Sequence, residues 1–254
     1  MRTIDLNADL GEGFGVWRMG DDDAMLGLVT SANIACGFHA GDPEIMAQSF
    51  RAAKEAGVAV GAHVSFPDLS GFGRRALAMT AAEIEHAVAY QIGAAQALAR
   101  LAQHDISYVK AHGALANLAE RDAKVAQAIA DAVAKVDASL TLLAIARSEQ
   151  GPAATRAGLE VAQEIFADRA YAEDGRLAPR REAGAVLHDS GLIVARTLTM
   201  LEEGAIVTRS GARHPTPIDS ICVHGDTPGA VAIARALRDA LEAAGWRVQS
   251  FQAP

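Results

Sequence analysis

A short apolar or alternating run recurs eight times along this chain, at Thr3–Asp9, Ser31–Gly37, Val58–Val64, Ser107–His112, Leu140–Ala146, Leu159–Phe166, Ser220–Asp226 and Trp246–Phe251. Helical stretches lie between most of these runs. Strands that alternate with helices of this length imply parallel strands joined by crossover helices, hence an α/β fold. Roughly six to eight such units point to a closed or nearly closed barrel related to the TIM barrel. A doubly wound open sheet is the alternative, and composition does not decide between them. The chain has 254 residues, and a (β/α) barrel takes about 250 as one unit, so residues 1–254 read as one domain.

Local signals agree with this rhythm. Pro43 suits the first position of a helix, where a missing N–H costs nothing; Met46, Phe50 and Ala53 follow at helical spacing and Gly57 ends the run. Thr80 and Glu83 form a capping-box pattern. Asp122 precedes Val125, Ile129 and Val133, and Thr227-Pro228 opens a helix closed by Gly245. Two stretches break the pattern: Ser65–Arg75, rich in Gly and Pro with two arginines, and Asp168–Asp189, long and charged. Loops of such length in a compact domain are often functional.

Half the residues are hydrophobic and the formal net charge is -8. An acidic balance argues against non-specific binding to nucleic acid or to an anionic membrane, but leaves room for a basic pocket that takes a small anion. No apolar run approaches the roughly 20 residues of a membrane span, and the N-terminus lacks an apolar signal core. The expected location is the cytoplasm. A homo-oligomer is compatible with the sequence, and no coiled-coil pattern marks an interface. Cys36 and Cys222 sit in apolar strand segments without a CxxC pair and read as buried free thiols.

Chemistry enters through alternation, because successive strand side chains face opposite sides. In the first strand Ile4, Leu6 and Ala8 share one face, and Asp5, Asn7 and Asp9 share the other. Lys110 and His112 share a face in the fourth. Cys222, His224 and Asp226 share one in the seventh. The apolar sets should face the helices and the polar sets the inside. Asn33, His39, His63, Glu164, Asp168 and Arg169 fall at the ends of other strands, where sites form in parallel β/α folds. Asp9, Lys110, His112, His224 and Asp226 are the expected catalytic residues, as carboxylate–histidine acid–base pairs with a cation for developing negative charge. Asn7, Glu12, Asn33, His39, His63, Arg75 and Glu164 are the expected substrate-binding residues. The same residue types suit a divalent metal, with His39, His63 and Asp9 as candidate ligands, although no HExxH-like spacing is present. Gly11–Gly15 matches neither a P-loop nor a clean GxGxxG and reads as a tight loop over the site.

Six segments carry a resemblance that runs nearly end to end: IDLNADLGEGFG (Ile4–Gly15), SANIACGFHAGDP (Ser31–Pro43), GAHVSFPDLSGFGRR (Gly61–Arg75), YVKAHGALANLA (Tyr108–Ala119), EIFADRAY (Glu164–Tyr171) and SICVHGDTP (Ser220–Pro228). Through them the chain resembles the LamB/YcsF family of lactam-utilisation proteins. The resemblance implies a seven-stranded (β/α) barrel related to the glycoside hydrolase/deacetylase superfamily. It implies the A-subunit role in a prokaryotic 5-oxoprolinase with separate B and C subunits, opening 5-oxo-L-proline to L-glutamate with hydrolysis of ATP as co-substrate. Ala8, Val64, Phe66, Ala111 and Ala116 depart from the family pattern, which commonly has Cys, Pro, Tyr, Pro and Tyr there; two of these departures lie beside Lys110 and His112. Two other functions stay open: a stand-alone metal-dependent amide hydrolase or deacetylase, and a non-catalytic substrate-binding subunit.

Overall fold

Seven parallel strands close on themselves in the computed structural model, which describes residues 2–225 and 229–252. They are β1 (Arg2–Leu10), β2 (Ser31–Ala35), β3 (Ala59–Val64), β4 (Ile106–Ala111), β5 (Thr141–Ile145), β6 (Val161–Phe166) and the late strand β9 (Ser220–His224), which pairs with both β6 and β1. The sheet is therefore a closed barrel, and the open doubly wound alternative is excluded. Helices α1 (Asp22–Leu26), α2 (Pro43–Ala56), α3 (Ala81–Leu101), α4 (Gly113–Ala119), α5 (Ala123–Val136), α6 (Gln150–Arg156), α7 (Ser190–Glu203) and α8 (Ala230–Ala243) connect them. The last strand, β10 (Trp246–Val248), pairs with the first residues of β1 below the point where β9 takes over. A small antiparallel ribbon, β7 (Ala205–Val207) with β8 (Arg213–Pro215), precedes β9. Neither strand of this ribbon is among the runs read from the sequence, whereas the equally short β10 falls within the run Trp246–Phe251.

The helices begin and end where side chains satisfy their terminal groups. The Asp42 carboxylate accepts from the Glu44 and Ile45 N–H groups ahead of Pro43, and Gly57 closes α2 in the left-handed region. Thr80 and Glu83 cap α3 reciprocally. Asp122 caps α5. The expected helix opening at Thr227-Pro228 lies outside the described residues, as does Asp226. No helix among the described residues is long and apolar enough to cross a membrane.

Alternation divides the barrel into two environments. Ile4, Leu6 and Ala8 join Ile34, Val60, Val109 and Ile221 in the main core between strands and helices. The inside of the barrel carries the polar set, plus a small apolar plug of Tyr108, Leu143 and Ala162 against which Phe251 packs. The Tyr108 ring takes its space from a neighbour that lacks a side chain. Gly61 is its register partner on β3, and a Cβ there would overlap the ring. The phenol then reaches across to donate to Asn33 Oδ1 at 2.8 Å. Gly61→Ala should cost about 1–3 kcal/mol through overpacking. Urea unfolding checks this, and a variant as stable as the native sequence would show that the ring has somewhere else to go.

Candidate active site

Most barrels of this type fill their interior with layers of branched aliphatic residues. Here a column of hydrogen-bonded polar groups runs from base to mouth. At the base the Asp5 carboxylate accepts from Thr30 Oγ1 and Ser31 Oγ, each at 2.7 Å, and from Ser220 Oγ. Burial pushes this carboxyl up to about 6 despite those three hydroxyls. One layer higher, Asn7 donates to Ser220 Oγ (2.7 Å) and Glu164 Oε2 (3.3 Å) and accepts from Asn33 Nδ2 (2.7 Å). Above it lies Lys110, only 3% exposed. Its ammonium is 3.0 Å from both Asp9 Oδ1 and Glu164 Oε2 and 3.2 Å from Cys222 Sγ. Burial opposes the charge on Lys110, but the carboxylates of Asp9 and Glu164 outweigh it and hold the ammonium protonated well above its usual range. Burial also opposes the charge on Asp9, and His63 and Lys110 outweigh it, so this carboxyl sits well below the usual range. One ammonium cannot fully serve two carboxylates: burial and the Asp9 charge leave Glu164 raised. The thiols of Cys36 and Cys222 are both pushed upward by burial, which keeps them protonated and unsuited to nucleophilic work.

At the mouth two histidine arrangements differ in kind. His224, at the end of β9, donates from Nδ1 to the Asp168 carboxylate at 2.8 and 2.9 Å. Burial acts to raise Asp168, but the His224 contact and the nearby Arg180 and Arg169 leave its carboxyl below the usual range. A carboxylate on Nδ1 fixes the ring and its tautomer and leaves Nε2 as a base. The expected partners of His224 are Asp9 and Asp226; the pairing found is with Asp168, which sits just past β6.

The second arrangement gathers Glu12, His39, His63 and His112, all buried, with ligand atoms within 4.8 Å of one another. Carbonyl oxygens only accept, so the ring nitrogens facing them carry hydrogen. His112 Nε2 faces Phe72 O at 3.0 Å and His63 Nδ1 faces Lys110 O at 3.3 Å. In neutral rings the remaining nitrogens, His112 Nδ1 and His63 Nε2, then point lone pairs at each other across 3.0 Å. That contact needs a hydrogen or a cation between its nitrogens, and His63 Nε2, which also lies 3.4 Å from Asp9 Oδ1, carries the hydrogen in the other tautomer of its ring. Neither ring nitrogen of His39 makes a hydrogen bond among the described residues, and its Nε2 lies 3.4 Å from Glu12 Oε1. Burial, with the neighbouring imidazoles, holds His39 and His112 well below the usual histidine range, in the neutral form that ligates metals. The donor set of three imidazoles and one carboxylate fits a divalent ion such as zinc. Of the candidate ligands read from the sequence, His39 and His63 fall in this set, which Glu12 and His112 complete; Asp9 falls in a second group of buried ligand atoms within 4.8 Å of one another, with Cys222 and His224, and there also meets Lys110 and Asn33.

A cavity of about 300 Å³ opens above the column, lined by Asp9, His63, Lys110, His112, His224 and a group of arginines. Asn7, Asn33 and Glu164 lie beneath it in the column. Arg75 is elsewhere: its guanidinium pairs with Asp68 and is 62% exposed. Its neighbour Arg74 lines the cavity and stacks over Phe72. Two adjacent arginines in a loop without periodicity are not separable by pattern. Arg169, Arg180 and Arg181 also line the cavity, all from the irregular segment after β6. Gly11 has φ +70, and a Cβ there would press on Ser49 Oγ and the Ile34 side chain, so the bare backbone lets the chain after β1 turn and bring Glu12 to the histidines.

The sequence matches the LamB/YcsF family over residues 4–254. It is 58% identical over 250 residues to a protein of Gluconobacter oxydans (strain 621H) named as the A subunit of 5-oxoprolinase, covering 98% of each chain. The fold superposes on a crystal structure of a lactam utilization protein from Thermus thermophilus with a TM-score of 0.92 at 43% identity, covering 98% of this chain and 100% of that one. A peptidoglycan N-acetylglucosamine deacetylase shares the fold alone, at a TM-score of 0.50 and 11% identity over 98% of this chain and 86% of that one.

Asp5 makes the polar column sensitive to pH. Its folded-state value near 6 lies above the ordinary 3.8, so the folded chain holds this proton more tightly than the unfolded chain. The stability tied to it is full below about pH 4 and is lost as pH rises through about 6. Between pH 4.5 and 7.5, the stability of Asp5→Asn relative to the native sequence should rise by roughly 2 kcal/mol. Urea titrations at the two pH values measure it; a gap independent of pH would contradict a raised Asp5.

Proposed function

The chain belongs to the LamB/YcsF family, and on that premise we propose that it is the A subunit of an ATP-dependent 5-oxoprolinase, working with B and C subunits to open 5-oxo-L-proline to L-glutamate while ATP becomes ADP and phosphate. The name of the Gluconobacter relative supports this role. The observation that carries the chemistry is the His224–Asp168 pair, which lines the same cavity as Lys110.

A lactam amide resists water, and transfer of the terminal phosphoryl group of ATP to its oxygen turns that oxygen into part of a leaving group. Water then adds to the ring carbon while His224 Nε2 takes its proton. The ring C–N bond breaks as the His224 imidazolium returns that proton to nitrogen, leaving an acyl phosphate. A second water displaces phosphate and yields the side-chain carboxylate of glutamate. Two waters are consumed per ATP, one for each bond opened. Lys110, held charged at the floor of the cavity, orients the substrate carboxylate or steadies the negative charge that develops on the adduct. His112 has both nitrogens engaged, by Phe72 O and His63, and serves as wall rather than base.

A second reading, a metal-dependent amide hydrolase acting alone, rests on the Glu12–His39–His63–His112 set. A divalent ion held there would supply Lewis acidity or an acidified water. One assay separates the readings: glutamate release from 5-oxoproline and ATP, by this chain alone and with its B and C partners. The oxoprolinase reading expects turnover only in the mixture, lowered about 10²–10⁴-fold by His224→Ala. ATP-independent, chelator-sensitive amide cleavage by the chain alone would favour the second reading. Undiminished turnover of a folded His224→Ala complex would remove His224 from the mechanism.

A further inference from the structure

The cavity at the barrel mouth has a sector that the proposed chemistry leaves unused. Asp9, Lys110 and His224 line it from the ends of β1, β4 and β9. Between α4 and the segment after β6 the wall changes character. Gly113, Ala116 and Asn117 line the cavity from α4, and their spacing puts them on one helix face. Gly113 is bare because its backbone demands it: φ is +53, and a Cβ would meet the Gly73 carbonyl oxygen at 2.7 Å. Ala116 lies inside the helix, where any good helix former fits the backbone, so its short side chain leaves volume to the cavity. Ile145 ends β5 and Leu177 lies in the segment after β6, beside the arginines already described, and both line the same cavity. Phe166, at the end of β6, joins this wall to the reacting groups by stacking on the His224 ring at 5.4 Å.

Size and polarity of this sector bear on what the cavity takes. At about 300 Å³ it has room for about ten waters' worth of liquid, more than a bare five-membered ring with one carboxylate fills. The polar groups fix two corners of a lactam acid: the carbonyl carbon lies at His224 and the carboxylate at a cation. The ring methylenes then face the uncharged wall, where Ala116, Ile145 and Leu177 offer apolar contact and no hydrogen-bonding side chain. We propose that the ligand this cavity prefers is a lactam acid whose ring carries a short apolar substituent, lodged against Ala116, Ile145 and Leu177. The substituent sits on a ring carbon between the carbonyl and the carbon that bears the carboxylate, so ring opening yields a glutamate with the same group on its side chain. This rests on the oxoprolinase reading for the ring and its carboxylate. Each methylene that reaches the wall strengthens binding about four-fold.

Binding to the full-length chain tests this without turnover. The chain is titrated calorimetrically with 5-oxo-L-proline and with its ring-methyl and ring-propyl analogues. The ring-propyl analogue should bind at least about ten-fold tighter than 5-oxoproline, with the ring-methyl analogue between them. Ala116→Leu, with thermal melting as the check on folding, fills the space with its own side chain and should bring that ratio down to about one. Leu177→Ala removes a contact from the facing segment and should also lower the ratio, and it takes over the test if Ala116→Leu does not fold. A ring-propyl analogue that binds the native chain no tighter than 5-oxoproline would overturn the proposal, and so would a ratio unchanged in a folded Ala116→Leu chain. Glutamate release from 5-oxoproline and ATP, by the native chain with its B and C partners, tests the underlying reading separately. Release without a preference for the ring-propyl analogue removes the apolar subsite and keeps the oxoprolinase reading; a preference without release keeps the subsite and sinks that reading.

Discussion

A buried ammonium between two buried carboxylates organises this barrel. Lys110, on β4, lies 3.0 Å from Asp9 and from Glu164, which stand on β1 and β6, the two strands that flank β9. Removing Lys110 would leave two buried carboxylates without their counter-charge, a far larger penalty than the net worth of the intact group, whereas removing either carboxylate leaves a one-to-one pair. The neighbouring polar groups follow from this constraint. Asn33 and Asn7 bridge Asp9 to Glu164, Tyr108 holds Asn33, and Gly61 is bare so that the Tyr108 ring has room. An interior built this way gains little from hydrophobic burial, and the main core between strands and helices supplies that instead.

The column also prepares the mouth. Its uppermost members, Asp9 and Lys110, are fixed before any ligand arrives, and the loops that follow the strands place further groups around them. The loop after β1 brings Glu12, that after β2 brings His39, and that after β3 brings Arg74. The segment after β6 brings Asp168 and the remaining arginines. Negative charge is sequestered in the column and positive charge faces the opening, so an acidic protein presents a basic entrance to a small anion. His224 stands between the two zones, its orientation set by Asp168 and by stacking on Phe166.

Much of the barrel is written in period-two alternation. Asp5, Asn7 and Asp9 could be assigned to one face of β1 because Ile4, Leu6 and Ala8 so clearly belong to the other. Expected strands end a few residues late, as at β2, where Gly37 at φ +91 turns the chain away after Ala35. Partnerships across the barrel are a different matter. His224 and Asp168 are 56 positions apart, and nothing in the spacing favours Asp168 over Asp9 or Asp226. Arg74 and Arg75 are neighbours in a loop, and only the fold shows that Asp68 captures Arg75 while Arg74 lines the cavity. Glu12 and His112 join His39 and His63 through turns whose course depends on Gly11 and on the start of α4. Side-chain type and strand face are local properties, while pairing depends on how distant loops fold back over the mouth.

The central claim is that the Lys110 triad holds the interior together, and its most direct test is urea unfolding of Lys110→Met beside the triple variant Asp9→Asn, Lys110→Met, Glu164→Gln. The single substitution strands two carboxylates and should cost about 3–5 kcal/mol, while the triple variant, which carries no buried charge at these positions, should recover most of that loss. A Lys110→Met chain within about 0.5 kcal/mol of the native sequence would mean that the ammonium is not what the barrel interior is built around.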